Sequence, residues 1–128
     1  MKKLLLTAVS AALLWGQNPN AESLLNEFKT QGGGPFDAKR GEAAWMQENL
    51  IKGEKMSCVT CHGKDLTQGG KHYTSGEAID PMAPSVTKTR FSDLKHTRKW
   101  FKRNCKEVYG RECTPQEKGD FMLFILSK

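Results

Sequence analysis

No stretch of this chain is apolar for long enough to cross a bilayer: its one extended hydrophobic run, Leu4 to Trp15, stops well short of the roughly 20 residues that a spanning helix needs. No internal repeat recurs, which excludes a stacked-repeat architecture, and no low-complexity linker divides the chain. There is no continuous Arg/Lys run and no aromatic ladder, so the net charge of +6 does not by itself ask for nucleic acid. Arg98, Lys99, Lys102 and Arg103 read equally well as a solvated helix face or as a docking patch for an acidic partner. Cysteine and histidine are scarce, at 4 and 3 residues, so their placement carries information.

What is present begins with Lys2 and Lys3 ahead of the apolar run, the charge and length of a secretory signal. The cleavage site is weakly marked, because Pro19 stands where a small residue is expected; the cut falls after Ala21 or nearer Gly16. Taking residues 1–21 as the signal removes Lys2 and Lys3, which lowers the formal charge from +6 to +4. It leaves 22–128 as a single domain with a small core, of a size that needs a staple or a cofactor. Export to a bacterial periplasm is the expected location, a compartment that permits disulfides.

Cys58-Val59-Thr60-Cys61-His62 supplies the cofactor. Two thiols three positions apart, followed at once by an imidazole, form the attachment signature of a c-type haem: one backbone turn offers both sulfurs to the porphyrin vinyl groups while the histidine reaches the iron. A zinc module built on the same residues is disfavoured, since adjacent Cys61 and His62 are poor joint ligands of one zinc ion.

The remaining sequence reads as helices parted by glycine-rich loops, an all-α domain. A short leading helix covers Glu22 to Phe28, with Leu24, Leu25 and Phe28 on its apolar side, and ends at Gln31-Gly32-Gly33-Gly34-Pro35. A second starts from an Asp37 cap and runs to about Leu50, with Gly41 offering a close-approach surface to the last helix. A third runs from a Ser92 cap to about Cys105. The last has the clearest start, Thr114-Pro115-Gln116-Glu117, where a hydroxyl cap, a proline at the first helical position and a reciprocating glutamate stand in capping-box order; Phe121, Phe124 and Ile125 form its core stripe. Residues 63–89, rich in Gly and Pro, are expected to be mostly loop enclosing the haem edge.

The sixth position on the iron decides between electron transfer and gas binding. Met82 lies in a loop, as an electron-transfer methionine would, but it follows His62 closely; a plain electron carrier with His62 and Met82 on the iron is the alternative reading. His72 sits in a polar loop and reads as solvated, and the helical repeat turns His96 outward. The same count puts Asn104 on the shoulder of the apolar face, where an amide is either buried and hydrogen-bonded or in reach of the haem. Cys105 and Cys113 flank Gly110 and would close a short disulfide loop worth about 2 to 3 kcal/mol, tethering the third helix to the last.

Arg103-Asn104-Cys105-Lys106-Glu107-Val108-Tyr109-Gly110-Arg111-Glu112-Cys113-Thr114, together with Ile79-Asp80-Pro81-Met82-Ala83-Pro84-Ser85-Val86 and Arg90-Phe91-Ser92-Asp93, resembles the SHP-type cytochromes c, relatives of cytochrome c double-prime. The resemblance spans nearly all of the mature chain. It implies a class I-like cytochrome c fold with an N-terminal helical extension and one covalent haem c on Cys58 and Cys61. It implies His62 as proximal iron ligand, Asn104 as distal ligand and Met82 as a pocket residue. It further implies binding of O2, NO or CO once reduction releases the amide, and an electron-donor cytochrome, a dihaem cytochrome c, as partner. Oxidase-like or NO-consuming turnover is left open, and no catalytic residue is assigned.

Overall fold

The computed structural model describes residues 18–128; the expected signal segment lies largely outside the described residues. Helix α1 spans Pro19–Thr30. It starts earlier than Glu22 because Asn18 caps it, accepting from the Ala21 N–H at 3.0 Å, and Pro19 fills the first turn where no donor is needed. Ala21, Leu24, Leu25 and Phe28 form its buried face.

Helix α2 spans Ala38–Met46 from the expected Asp37 cap, whose carboxylate accepts from the Lys39 and Arg40 N–H groups at 2.7 and 3.2 Å. It does not reach Leu50. The backbone turns extended at Gln47, and β1 (Asn49–Ile51) pairs antiparallel with β2 (Glu54–Met56). Lys52 and Gly53 between them both take positive φ, 50° and 83°, as a two-residue hairpin turn requires.

Next come α3 (Cys58–His62) and a mostly irregular segment holding a second small hairpin, β3 (Gly70–Lys71) with β4 (Ala78–Ile79). Helix α4 spans Leu94–Tyr109. Its cap is Asp93 rather than Ser92, accepting from the His96 N–H at 3.0 Å, and it continues a turn past Cys105 to a left-handed Gly110. Helix α5 (Pro115–Leu126) begins with the expected capping box: Thr114 accepts from the Glu117 N–H at 3.1 Å and Glu117 accepts from the Thr114 N–H at 2.9 Å.

The expected all-α class holds, with two short hairpins added. Its centre is the crossing of α2 over α5, where Gly41 lies against the Asp120 backbone; a Cβ there would also stand 2.9 Å from Phe124 Cβ. Trp45 fills the angle between them, its ring centroid 5.8 Å from Phe124 and 6.3 Å from Phe121. Asp120 is buried beside this crossing and fully engaged, by Arg40 Nε at 3.0 Å, the Asp37 N–H at 2.8 Å and Gln116 Nε2 at 3.1 Å. Phe28 and Phe101 pack edge-on at 6.0 Å and join α1 to α4.

Candidate cofactor cavity

A single turn of helix presents the thiols. Ser57 precedes α3 with its N–H donated to Thr60 Oγ1 at 3.0 Å, and Gly63 leaves the turn at a positive φ of 73° after donating to the Val59 carbonyl at 2.9 Å. The His62 ring rests 5.2 Å from the Trp45 ring, and Trp45 Nε1 donates to the Gly63 carbonyl at 3.2 Å, so the core holds the turn from below. From the other side Gly70 abuts the Cys61 carbonyl, an approach that any Cβ would block.

Burial sets the charge state of these groups. It pushes the His62 imidazole down to about 4, helped by the nearby Arg90 cation, so the ring is neutral at physiological pH and has a lone pair to offer a metal. Burial pushes the Cys58 thiol up to about 12 and raises Cys61 as well, so the cavity favours the neutral thiol over the thiolate at both.

Above the turn opens a cavity of about 470 Å³. Its walls include Cys58, Cys61 and His62 on one side, Asn104 of α4 on another, and half-buried Met82 from the loop between. The structure thus gathers every residue that the sequence singled out for the cofactor. Cys105, next to Asn104, is bonded to Cys113 with a Cα–Cα separation of 5.6 Å, which joins α4 to the start of α5.

Residues 31–125 match a family model described as a domain of unknown function, DUF1924. Over 126 residues the chain is 38% identical to the cytochrome c-type protein SHP of Cereibacter sphaeroides, covering 98% of this chain and 97% of that one. The solved structure of oxidized SHP, described as an oxygen binding cytochrome c, superposes with a TM-score of 0.78 over 84% of this chain and 96% of its own. This chain belongs to the SHP-type cytochromes c. Cytochrome c'' of Methylophilus methylotrophus is similar too, 32% identical over 76 residues, which is 59% of this chain and 53% of that one. Its oxidized crystal structure superposes at a TM-score of 0.75, with 26% identity, over 86% of this chain and 95% of its own. As an SHP-type cytochrome the chain carries covalently attached haem c.

The cavity of this SHP-type chain fits that group by an independent measure. Among the described residues, the buried side-chain polar atoms without a partner are Asn49 Nδ2, His62 Nδ1, Arg90 Nε and Tyr109 Oη, and the last three belong to cavity-lining residues. Buried polar atoms rarely go unpaired, so their concentration here marks a surface built to face something else. Arg90 is the most informative. Its Nη2 donates to the Pro81 carbonyl at 2.7 Å and to the Asp80 carbonyl at 3.3 Å, fixing the guanidinium at the cavity wall with Nε unspent.

One histidine departs from the sequence reading and another keeps to it. His72 is not a solvated loop histidine: it is half-buried at the cavity rim, with Nε2 3.2 Å from Glu107 Oε1 and Nδ1 3.0 Å from Thr74 Oγ1. His96 is exposed, as the helical count required, yet it stands on the same rim beside Trp100. Arg90 and Glu107 lie in the runs that carry the family resemblance, yet nothing local signals what they or Trp45 do, because each acts through a contact outside its own element.

Proposed function

We propose that this chain is an exported, periplasmic haem protein whose weak distal ligand, Asn104, lets go when the iron is reduced and so admits O2, NO or CO, with a partner cytochrome supplying the electron. The segment ahead of Asn18 serves as the export signal, cut nearer Gly16 than Ala21, and the chain from Asn18 onward as the working domain. Cys58 and Cys61 hold the haem through thioether bonds, His62 is the proximal ligand, and Met82 lines the pocket. The bound haem supplies a redox-active iron that accepts small diatomics.

Everything else falls to the side chains. His62 arrives neutral and needs to lose no proton to bind. Arg90, with Nε unspent at the cavity wall, offers a hydrogen bond to a carboxylate, and the haem propionates are the carboxylates at hand. Asn104 offers a neutral amide oxygen, a hard and weak donor that suits ferric iron better than ferrous. Because the disulfide anchors the backbone beside it, Asn104 could be released by a side-chain rotation without movement of α4, and its amide N–H would then be available as a hydrogen-bond donor to a diatomic ligand. The observation that carries this reading is that Asn104 and His62 line one cavity with both thiols. The oxygen-binding description of the similar SHP supports it.

An optical titration of the purified holoprotein through reduction and then CO addition tests it. The expected result is a ferrous protein that becomes five-coordinate and binds CO, and an Asn104→Ala variant with an altered ferric spectrum. A ferrous protein that stays six-coordinate and low-spin without added ligand overturns it, and a methionine-to-iron charge-transfer band in the ferric state would assign Met82 to the iron instead.

A further inference from the structure

Helix α4 carries an unusual outer face. Lys95, Lys99 and Arg103 follow at four-residue spacing, and Lys102 and Lys106 repeat it one position round, so like charges stack along one side. Such pairs destabilise a helix in isolation. Lys102 is paired with Glu112 at 3.5 Å and Arg98 with Glu27 at 2.9 Å, but among the described residues Lys95, Lys99, Arg103 and Lys106 have no ion-pair partner. At the helical repeat Trp100 falls between this stripe and the face bearing Thr97, Phe101 and Asn104. Its ring is 38% exposed, lies under Arg103 at 5.1 Å and Lys99 at 5.9 Å, and lines the mouth of the cavity. A large aromatic left open among uncompensated cations, at the edge of a redox cofactor's cavity, has the composition of a binding hot spot rather than of a solvated face.

We propose that Lys95, Lys99 and Arg103 around Trp100 form the docking surface for an acidic electron-donor protein, which rests on the reading that the cavity holds haem. Charge complementarity selects the occupant. The stripe attracts and orients a partner with a carboxylate-rich patch, and Trp100 makes the close contact that brings the donor's redox centre to the cavity mouth. One electron then passes from the donor, which is oxidised by one equivalent, to ferric iron, which becomes ferrous; the transfer itself makes and breaks no covalent bond, and release of the Asn104 amide follows it. An anionic membrane is the poorer fit, because Trp100 is the lone exposed large apolar side chain on this helix and no broad apolar face accompanies it.

Stopped-flow reduction of the holoprotein by flavodoxin hydroquinone, used as an acidic protein donor, tests the surface at several salt concentrations. The wild-type rate falls as salt rises. The double variant Lys99→Glu/Arg103→Glu lowers the low-salt rate about tenfold or more and flattens the salt dependence, while Lys39→Glu/Lys128→Glu, with the same change in net charge, stays within about twofold. Trp100→Ala slows reduction and Trp100→Phe restores most of it. A double variant that keeps the wild-type rate and salt slope overturns the proposal, as does competition of phosphatidylglycerol vesicles with flavodoxin for the wild type. Dithionite reduction followed by CO, run on the same variants, separates the two readings: normal CO binding with unchanged flavodoxin kinetics sinks only the docking surface, whereas loss of CO binding in the wild type sinks the haem-pocket reading.

Discussion

His72 Nε2 and Glu107 Oε1 stand 3.2 Å apart, so the β3–β4 hairpin is fastened to α4 one turn beyond Asn104. The Thr74 and Ser75 backbone N–H groups both donate to Nδ1 at 3.4 Å, which leaves Nε2 as the donor to Glu107. With Gly70 seated on the Cys61 carbonyl at its base, the hairpin is a wall running from the attachment turn to the distal helix.

Opening that wall should ease entry to the cavity. His72→Ala and Glu107→Gln are each expected to raise the CO association rate of the reduced protein several-fold. The pair is partly exposed, so the cost in stability should stay below about 1 kcal/mol. Stopped-flow CO binding and urea denaturation of the same variants check both parts; an unchanged rate in both variants would remove the hairpin from the entry route.

Gly41→Ala should destabilise the protein by about 1 to 3 kcal/mol, since the new methyl meets the Asp120 backbone, which is not free to step aside. Alanine is the better helix former by about 1 kcal/mol, so any loss here isolates the packing term. Urea midpoints measure it. A stabilised Gly41→Ala variant would mean that α2 and α5 separate at no cost.

The Arg111 side chain, hydrogen-bonded to Glu117, is the chief reason that the Glu117 carboxyl titrates below its ordinary value of 4.5; the Thr114 N–H adds to it. A carboxylate held down in the folded state stabilises above its unfolded pKa, and that stability fades as pH falls through the lower folded value. Glu117→Gln should therefore be less stable than wild type by about 0.5 to 1 kcal/mol at pH 7. The difference should shrink as pH falls through the lowered folded value and close only beneath it, where both side chains are neutral. Urea titrations from pH 7 downward give the comparison, and a gap that does not narrow with falling pH would contradict the assignment.

Export processing should spare α1. Asn18 caps that helix and donates to the Arg90 carbonyl at 3.0 Å, and Asn20 donates to the Ser92 carbonyl at 2.7 Å, so a cut after Ala21 would remove the cap and both ties to the segment before α4. Cleavage N-terminal to Asn18 is expected, and intact mass measurement of the exported holoprotein reads it directly. A protein trimmed to begin at Glu22 should lose about 1 kcal/mol or more.

Features with a local cause were legible in the sequence. The Thr114-Pro115-Gln116-Glu117 start of α5, the Asp37 cap and the cofactor turn Cys58–His62 each depend on residues within one turn of each other. Where two local readings competed, the wrong one could prevail. Asn18-Pro19 is a helix start, but beside an apolar run it reads as part of a leader. Lys52-Gly53 is a hairpin turn, but the strands it joins are three residues each and carry too little alternation to interrupt a helical pattern. The end of α4 was signalled by Gly110, and the disulfide cysteine before it drew the boundary in too soon. His72, Arg90 and Glu107 act through partners that no local pattern could name.

The packing of His62 against Trp45, and of Trp45 against Phe124, gives the imidazole no private foundation. Its seat is the helical crossing itself, so a loosening at Gly41 or Phe124 would travel two aromatic rings to reach it. A spectroscopist who follows the His62 ring resonances during gentle heating would in effect be watching a strain gauge embedded in the centre of the protein.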